Sequence, residues 1–417
     1  MTPTRPVGDN AAARGRGATR RGFLFGGAAA GVGVAAGVAL AGTPALAADP
    51  KPDSTGVNGS RTVAFHGTHQ AGIETPVASY VTYLALDLHR EVDADGLRRL
   101  MKLWSDDAAR LTAGTPALAD TEPHLAEDPA GLTVTFGFGP GALDRAATSK
   151  RPSWLRPLPA YDIDKLEERW SGGDLIVVVS ADDQVPMAHA TRMILKDGRG
   201  FASLRWRQDG FRRAYGSQPG GTTMRNLFDQ VDGTANPRLG TPDFDTVVWA
   251  TGDDWMAGGT SLVLRRIEIA IETWDEVDTV GRENAIGRTV TTGAPLTGTA
   301  ETDEPDFEAI GPHGFPVISD VSHVRRAHHH FTGARIFRRG YNYDLGPTPG
   351  ADDSVVSNTG LLFASYQADV DAQYVPIQEA LAKADLMNVW TTPIGSAVFA
   401  IPPGCAEGEY VGQGLLG

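Results

Sequence analysis

Three short stretches of the chain concentrate side chains able to do chemistry. The first is Arg225-Asn226-Leu227-Phe228-Asp229-Gln230-Val231-Asp232-Gly233-Thr234-Ala235-Asn236-Pro237. Asp232-Gly233 followed by Asn236-Pro237 reads as a tight turn. An aspartate there either holds the loop or offers a carboxylate to a moving proton. The second stretch is Asp320-Val321-Ser322-His323-Val324-Arg325-Arg326-Ala327-His328-His329-His330, with four of the chain's ten histidines inside eight residues. A neutral imidazole binds iron, zinc or copper. The same run also suits a solvated polar turn or a divalent-metal site. The third stretch, Arg335-Ile336-Phe337-Arg338-Arg339-Gly340-Tyr341-Asn342-Tyr343, mixes arginine with aromatics. It is either a strand with a charged edge or a device that delivers a guanidinium into a pocket.

The surrounding sequence predicts the elements that position them. Tyr80 to Leu88 reads as a strand. Leu97, Leu100, Met101 and Trp104 follow helical spacing after Asp95. Leu132, Val134, Phe136 and Phe138 alternate as a half-buried strand, and Leu175 to Val179 is a short apolar strand. Residues 183–195 suit a helix. Later, Ile267, Ile269 and Ile271 alternate as a strand, and Leu361 to Tyr366 and Ser396 to Ile401 are further strands. Ile377, Ala380, Leu381 and Ala384 share a helical face. Residues 298–313 are acidic, with Pro and Gly, and read as a surface loop. The order predicts an α+β fold of two halves, residues 61–220 and 221–417, each an antiparallel sheet covered by helices. The joint falls in 210–240. No short-period repeat is present, which argues against solenoids and propellers.

The chain has 417 residues, 41% hydrophobic and 21% charged, enough for a substantial core. Residues 14–47 carry Arg14, Arg16, Arg20 and Arg21, then an uncharged Gly/Ala-rich stretch, then Ala45-Leu46-Ala47. That is the pattern of a twin-arginine signal over residues 1–47, cleaved near Ala48. It predicts a secreted protein with no stable membrane insertion after cleavage. Residues 48–60 read as a loose lead-in. Without residues 1–47 the chain keeps 32 basic and 50 acidic side chains, a net charge of −18. Such a surface repels nucleic acid and sets that partner aside. Cys405 is the only cysteine, so neither an internal disulfide nor a cysteine-based metal cluster can form. This fits folding in the reducing cytoplasm before export.

In order and spacing the stretches resemble the dye-decolourising peroxidases. Asp232-Gly233-Thr234-Ala235-Asn236-Pro237 is similar to that family's Gly-x-x-Asp-Gly fingerprint. Ser322-His323-Val324-Arg325 resembles its haem-ligand segment, and Arg338-Arg339-Gly340-Tyr341-Asn342-Tyr343 its distal arginine segment. Gly360 to Gln367 and Gly395 to Gly404 resemble its late strands, and His69-Gln70-Ala71-Gly72-Ile73 its opening segment. The likeness spans nearly all of the mature chain.

The resemblance implies two ferredoxin-like halves, with haem b in the C-terminal one. It implies an oxidoreductase that uses hydrogen peroxide to oxidise dyes, phenolics or similar reductants through a ferryl-porphyrin intermediate. His323 would ligate the iron, with Asp369 as acceptor for its second ring nitrogen. Asp232 would move the peroxide proton. Arg338, or its neighbour Arg339, would stabilise charge as the O–O bond breaks. Arg288 would meet a haem propionate. Two positions depart from the family pattern. Asp229 replaces the first fingerprint glycine, predicting a different loop path and an extra carboxylate near Asp232. Gly340 stands where some members carry a distal Asn. A haem-iron-releasing enzyme (deferrochelatase-like) and a non-enzymatic haem-binding protein are the competing functions, and a homo-oligomer is compatible with all three.

Overall fold

The computed structural model describes residues 57–146, 150–252, 254–347 and 356–417. The expected signal and cleavage site lie outside the described residues.

Strand β1, Tyr80–Leu88, shows why the apolar runs are continuous. Val81, Tyr83 and Ala85 point to one side and join a core with Phe244, Phe337 and Phe399. Leu84, Leu86 and Leu88 point to the other and pack with Leu97, Leu100 and Trp104. With period-two alternation, a strand covered on both faces must be apolar throughout. The same holds for β2, Thr133–Phe138, in which every residue is buried. The expected half-buried strand is therefore corrected: its polar positions are interior too, and Thr135 donates to the Ala71 carbonyl at 2.5 Å.

The N-terminal half runs β1, α1 (Ala94–Thr112), β2, α2 (Pro140–Ala146), β3 (Leu175–Ala181), α3 (Gln184–Gly198) and β4 (Ala202–Phe211). Helix α1 starts where Asp93 accepts from the Gly96 N–H at 2.8 Å, capping a free backbone donor. A hairpin of two-residue strands, β5 (Met224–Arg225) and β6 (Val231–Asp232), and α4 (Pro242–Val248) lead into the second half. That half runs β7 (Thr260–Ile269), α5 (Ile271–Asp275), α6 (Thr279–Ile286), α7 (His323–Ala327), α8 (His329–Thr332), β8 (Phe337–Arg338), β9 (Tyr341–Asp344), β10 (Thr359–Gln367), α9 (Val375–Ala384) and β11 (Thr391–Ile401). Ile271, expected to prolong the strand, instead opens α5, because the sheet ends where Ala270 N–H bonds to the Trp390 carbonyl.

Each half contributes four antiparallel strands, ordered β2-β3-β1-β4 and β11-β7-β10-β9. The halves join at β11–β2 and β4–β9. With β7 paired to β10, the eight strands close into a barrel, which removes exposed sheet edges. The expected α+β class and its two similar halves are thus observed. Along β7 and β10 the alternation separates two environments. Leu264, Leu362 and Ala364 face the barrel interior. Ile267, Leu361 and Phe363 face outward, toward α7 and α9, and line a cavity.

Candidate active site

The cavity occupies about 370 Å³, within the ordinary range for small-molecule and cofactor sites. One wall is the outer face of β7 and β10. The lining also includes Ile377 and Leu381 of α9. Polar groups enter from three separate places: Asp232, His323 and Arg338. The sequence stretches singled out for chemistry therefore meet in one space.

His323 is the first residue of α7, whose chain is fixed from below. Gly287 ends α6 at φ 87°, a conformation that favours glycine. A Cβ on Gly287 would also meet Val324 Cγ1 at 2.4 Å, so the close approach of these two segments requires its absence. The imidazole is deep in the protein, yet 39% of its side-chain surface is accessible. That surface faces the cavity. Nδ1 lies 2.6 Å from Asp385 Oδ2, while Asp385 Oδ1 accepts the Met387 N–H at 2.9 Å. An ionised carboxylate only accepts, so Nδ1 carries the proton toward it. Nε2 is left as the nitrogen for the cavity. Burial disfavours the imidazolium, but the charge and hydrogen bond of Asp385 together outweigh burial, and the ring's pKa is raised.

This corrects the expected acceptor. Asp369 caps the turn that follows β10, accepting from Ala372 N–H at 2.8 Å. Its carboxylate is spent on a backbone donor. Asp385 takes the role from the C-terminal end of α9, where Leu386 N–H also bonds to the Val321 carbonyl at 2.8 Å and holds the two segments together. The one sequence signal for Asp385 was its place directly after the apolar helical face ending at Ala384.

In the same cavity lining, Arg338 Nη1 donates to Asp232 Oδ1 at 2.8 Å. The two side chains are 25% and 18% accessible, so the pair is presented to the cavity rather than sealed. Of the two neighbouring arginines, Arg338 is the one in the cavity lining. Arg339 is buried and donates to the carbonyls of Ile73 and Thr75 at 2.8 and 2.6 Å, tying β8 to the opening segment. Asp232 ends β6, and the following Gly233 has φ 133°, which a side chain would strain. The loop is also gripped from the acidic segment: Glu301 Oε1 accepts from Thr223 and Thr234 hydroxyls at 2.6 and 2.8 Å. Residues 301–304 line the cavity, so this segment is more than the surface loop expected from composition.

Arg288 lines the cavity as well. Its Nη1 is engaged by the carbonyls of Gly293 and Glu301, at 2.7 and 2.8 Å, which fixes the guanidinium at the wall. Burial lowers its pKa from the usual arginine value.

Asp229 adopts φ 63°, a left-handed conformation that favours glycine. Asn226 Oδ1 accepts from the N–H groups of Phe228 and Gln230, holding the turn around it. Its carboxylate is 68% exposed and turned toward Arg225, so the expected extra charge beside Asp232 is directed to solvent. Left-handed backbone costs a non-glycine residue about 1–2 kcal/mol, and glycine loses about 0.5–1 kcal/mol more chain entropy on folding. Asp229→Gly should therefore leave the stability measured by urea unfolding unchanged or raise it by up to about 1.5 kcal/mol. A clear loss of stability would show that the Asp229 side chain holds the loop.

Comparison with known proteins agrees with this geometry. The model of the Dyp-type peroxidase N-terminal region matches residues 70–212, and that of the C-terminal region matches residues 223–406. A dye-decolorizing peroxidase from Thermobifida fusca is 37% identical, over 96% of this chain and 98% of its own length. A deferrochelatase from Yersinia pestis is 31% identical, over 88% of each chain. Among solved structures, a DyP-type peroxidase from Cellulomonas bogoriensis superposes with a TM-score of 0.83 at 50% identity, covering 87% of this chain and 99% of that one. The oxyferrous complex of DtpA from Streptomyces lividans gives 0.82 at 39% identity, covering 86% and 99%. The chain thus belongs to the Dyp-type peroxidase family and is a haem-dependent oxidoreductase.

Proposed function

We propose that the cavity holds haem b, with His323 Nε2 as the iron ligand and Asp232 and Arg338 on the peroxide side. The observation that carries this reading is the convergence of an oriented imidazole and an acid–guanidinium pair on one apolar-walled space. The donor set suits the group. An imidazole whose second nitrogen is bonded to a buried carboxylate is the usual arrangement for a metal-ligating histidine, fixing the ring and raising its basicity. Ile267, Leu361 and Phe363 offer apolar surface to a flat ring system, and Arg288 offers a cation to a propionate.

When bound, haem supplies the iron and the electrons that cleave the O–O bond of hydrogen peroxide. The residues of the chain handle protons and charge. Asp232 uses Oδ1 to receive Arg338, so Oδ2 accepts a peroxide proton and returns it to the departing oxygen. Arg338 holds the Asp232 carboxylate in place, and its remaining N–H groups are available to negative charge developing on oxygen. Asp385 holds the His323 ring against rotation. Dyes, phenolics or similar reductants then restore the resting enzyme.

Residues 1–47 are proposed as a cleaved twin-arginine export signal, resting on the paired Arg20-Arg21, the uncharged stretch and Ala45-Leu46-Ala47. Among the described residues no helix is long and apolar enough to cross a membrane. N-terminal sequencing of the exported protein should start near Ala48; a start at Met1 would remove the proposal.

The deferrochelatase relatives give a second reading, release of iron from intact porphyrin. Product analysis separates the two. The haem-loaded protein given peroxide and a phenolic should accumulate oxidised phenol with its porphyrin iron retained. Accumulation of iron-free porphyrin, with the phenol untouched, would favour the second reading.

A further inference from the structure

Arg338 lies on the short strand β8, which pairs with β10 through Ser365 and Tyr366. The next residue bonds inward, Arg339 N–H to the Ala364 carbonyl at 2.8 Å. In an antiparallel strand successive backbone groups alternate in direction, so the N–H and C=O of Arg338 itself point away from β10. On that side β4 pairs with the neighbouring strand β9 only as far as Phe211 opposite Asn342. Among the described residues no strand remains to receive Arg338.

Asn236 fills that place. Its Oδ1 accepts the Arg338 N–H at 3.0 Å, and its Nδ2 donates to the Arg338 carbonyl at 2.8 Å. One carboxamide thus reproduces the donor and acceptor of a missing strand. Asn236 also belongs to the turn that carries Asp232, closed by Asn236 N–H to the Gly233 carbonyl at 2.9 Å. The turn therefore grips one arginine at both ends: Asp232 on the guanidinium and Asn236 on the backbone. The upper contact is an accessible ion pair, and such pairs hold geometry weakly by themselves. The lower contact is bidentate and sits on a half-buried residue.

We propose that Asn236 is a positioning residue for the peroxide step: it fixes the backbone from which Arg338 reaches Asp232. The proposal rests on the reading that Arg338 acts on peroxide. An aspartate in its place would keep an acceptor for the Arg338 N–H but lose the donor to the carbonyl, unless the new carboxyl is protonated. Alanine would lose both.

The test is a double-mutant cycle on the haem-loaded protein, read as the bimolecular rate of the spectral change on adding peroxide, together with deuterium uptake by the 336–340 backbone without haem. Displacing a catalytic group by about 1 Å can cost on the order of 100-fold. Asn236→Ala should slow the peroxide step about 10- to 100-fold, leave the KM for reductant unchanged and speed deuterium uptake at Arg338. In an Arg338→Ala background, Asn236→Ala should add little further loss, because both changes remove one unit. At acid pH, where the new carboxyl can donate, Asn236→Asp should approach the rate of the wild-type protein measured at the same pH.

Three results would overturn the proposal. One is an unchanged peroxide rate in Asn236→Ala. Another is a full further loss in the Arg338→Ala background, which would assign Asn236 to the loop in general. The third is an unchanged rate in Arg338→Ala alone, which would remove the reading of Arg338 and this inference with it.

Discussion

Replacing His323 by alanine should yield a folded protein that no longer holds haem at one per chain. The residue starts a five-residue helix and its ring faces a cavity, so its loss leaves no buried apolar void of the kind that unfolds a core. Asp385 would lose one partner and keep the Met387 N–H. The effect on haem should be far larger. Loss of an outer-shell partner to a metal ligand typically costs about 10- to 100-fold in affinity or activity, and loss of the ligand itself exceeds that. Asp385→Asn supplies the comparison: weakened haem affinity within that range, with haem still visible. Retention of stoichiometric haem by His323→Ala would refute the ligand assignment.

The raised pKa of His323 adds a pH dependence to haem uptake. A proton and iron compete for the same ring nitrogen, and the proton is held more tightly than by a free histidine. Haem affinity of the haem-free protein should therefore climb as pH rises through that raised value, then level off. By itself the same shift works oppositely on the haem-free fold. The stability it contributes is full below the ordinary histidine pKa and fades as pH rises through the raised one.

The second large effect concerns the peroxide side. Asp232→Asn and Arg338→Ala should both keep haem, since neither touches the ligand side. Positioned proton transfer contributes about 100- to 10,000-fold, and a donor aimed at developing negative charge about 100- to 1,000-fold. Each substitution should slow the reaction with peroxide by at least about 100-fold. Their combination should cost less than the product of the two, because Arg338 Nη1 and Asp232 Oδ1 act as one hydrogen-bonded unit. Stopped-flow mixing with peroxide measures this directly. Unchanged rates in both variants would remove the proposed roles.

How much was legible beforehand varied with the physics of each element. Helices α1 and α9 could be read because burial on one face imposes a period on the sequence, and strand β1 because burial on both faces makes a continuous apolar run. The closure of two sheets into one barrel could not. It depends on pairings such as Ala400 with Phe138, distant along the chain and unmarked by any local pattern. Closure also explains the wrong expectation at β2, since a strand inside a barrel wall has no wet face. At the site, His323, Asp232 and Arg338 were found through the likeness of their segments to a family. Asp385 was missed because hydrogen-bonding carboxylates at helix ends and at turn starts look alike in sequence. Asp369 and Asp385 both follow apolar elements, and only the fold decides which one meets His323. The extra carboxylate expected beside Asp232 is turned to Arg225 instead, a direction set by the left-handed backbone at Asp229, which Asn226 helps hold and which no sequence pattern displays.

The most direct measurement is a hemin titration of the haem-free protein, followed in the visible spectrum and then by one equivalent of hydrogen peroxide. A Soret band saturating at one hemin per chain, and shifting at once when peroxide is added, is the predicted result. A preparation that remains colourless in the presence of hemin, or a Soret band that peroxide leaves unmoved, would contradict the account.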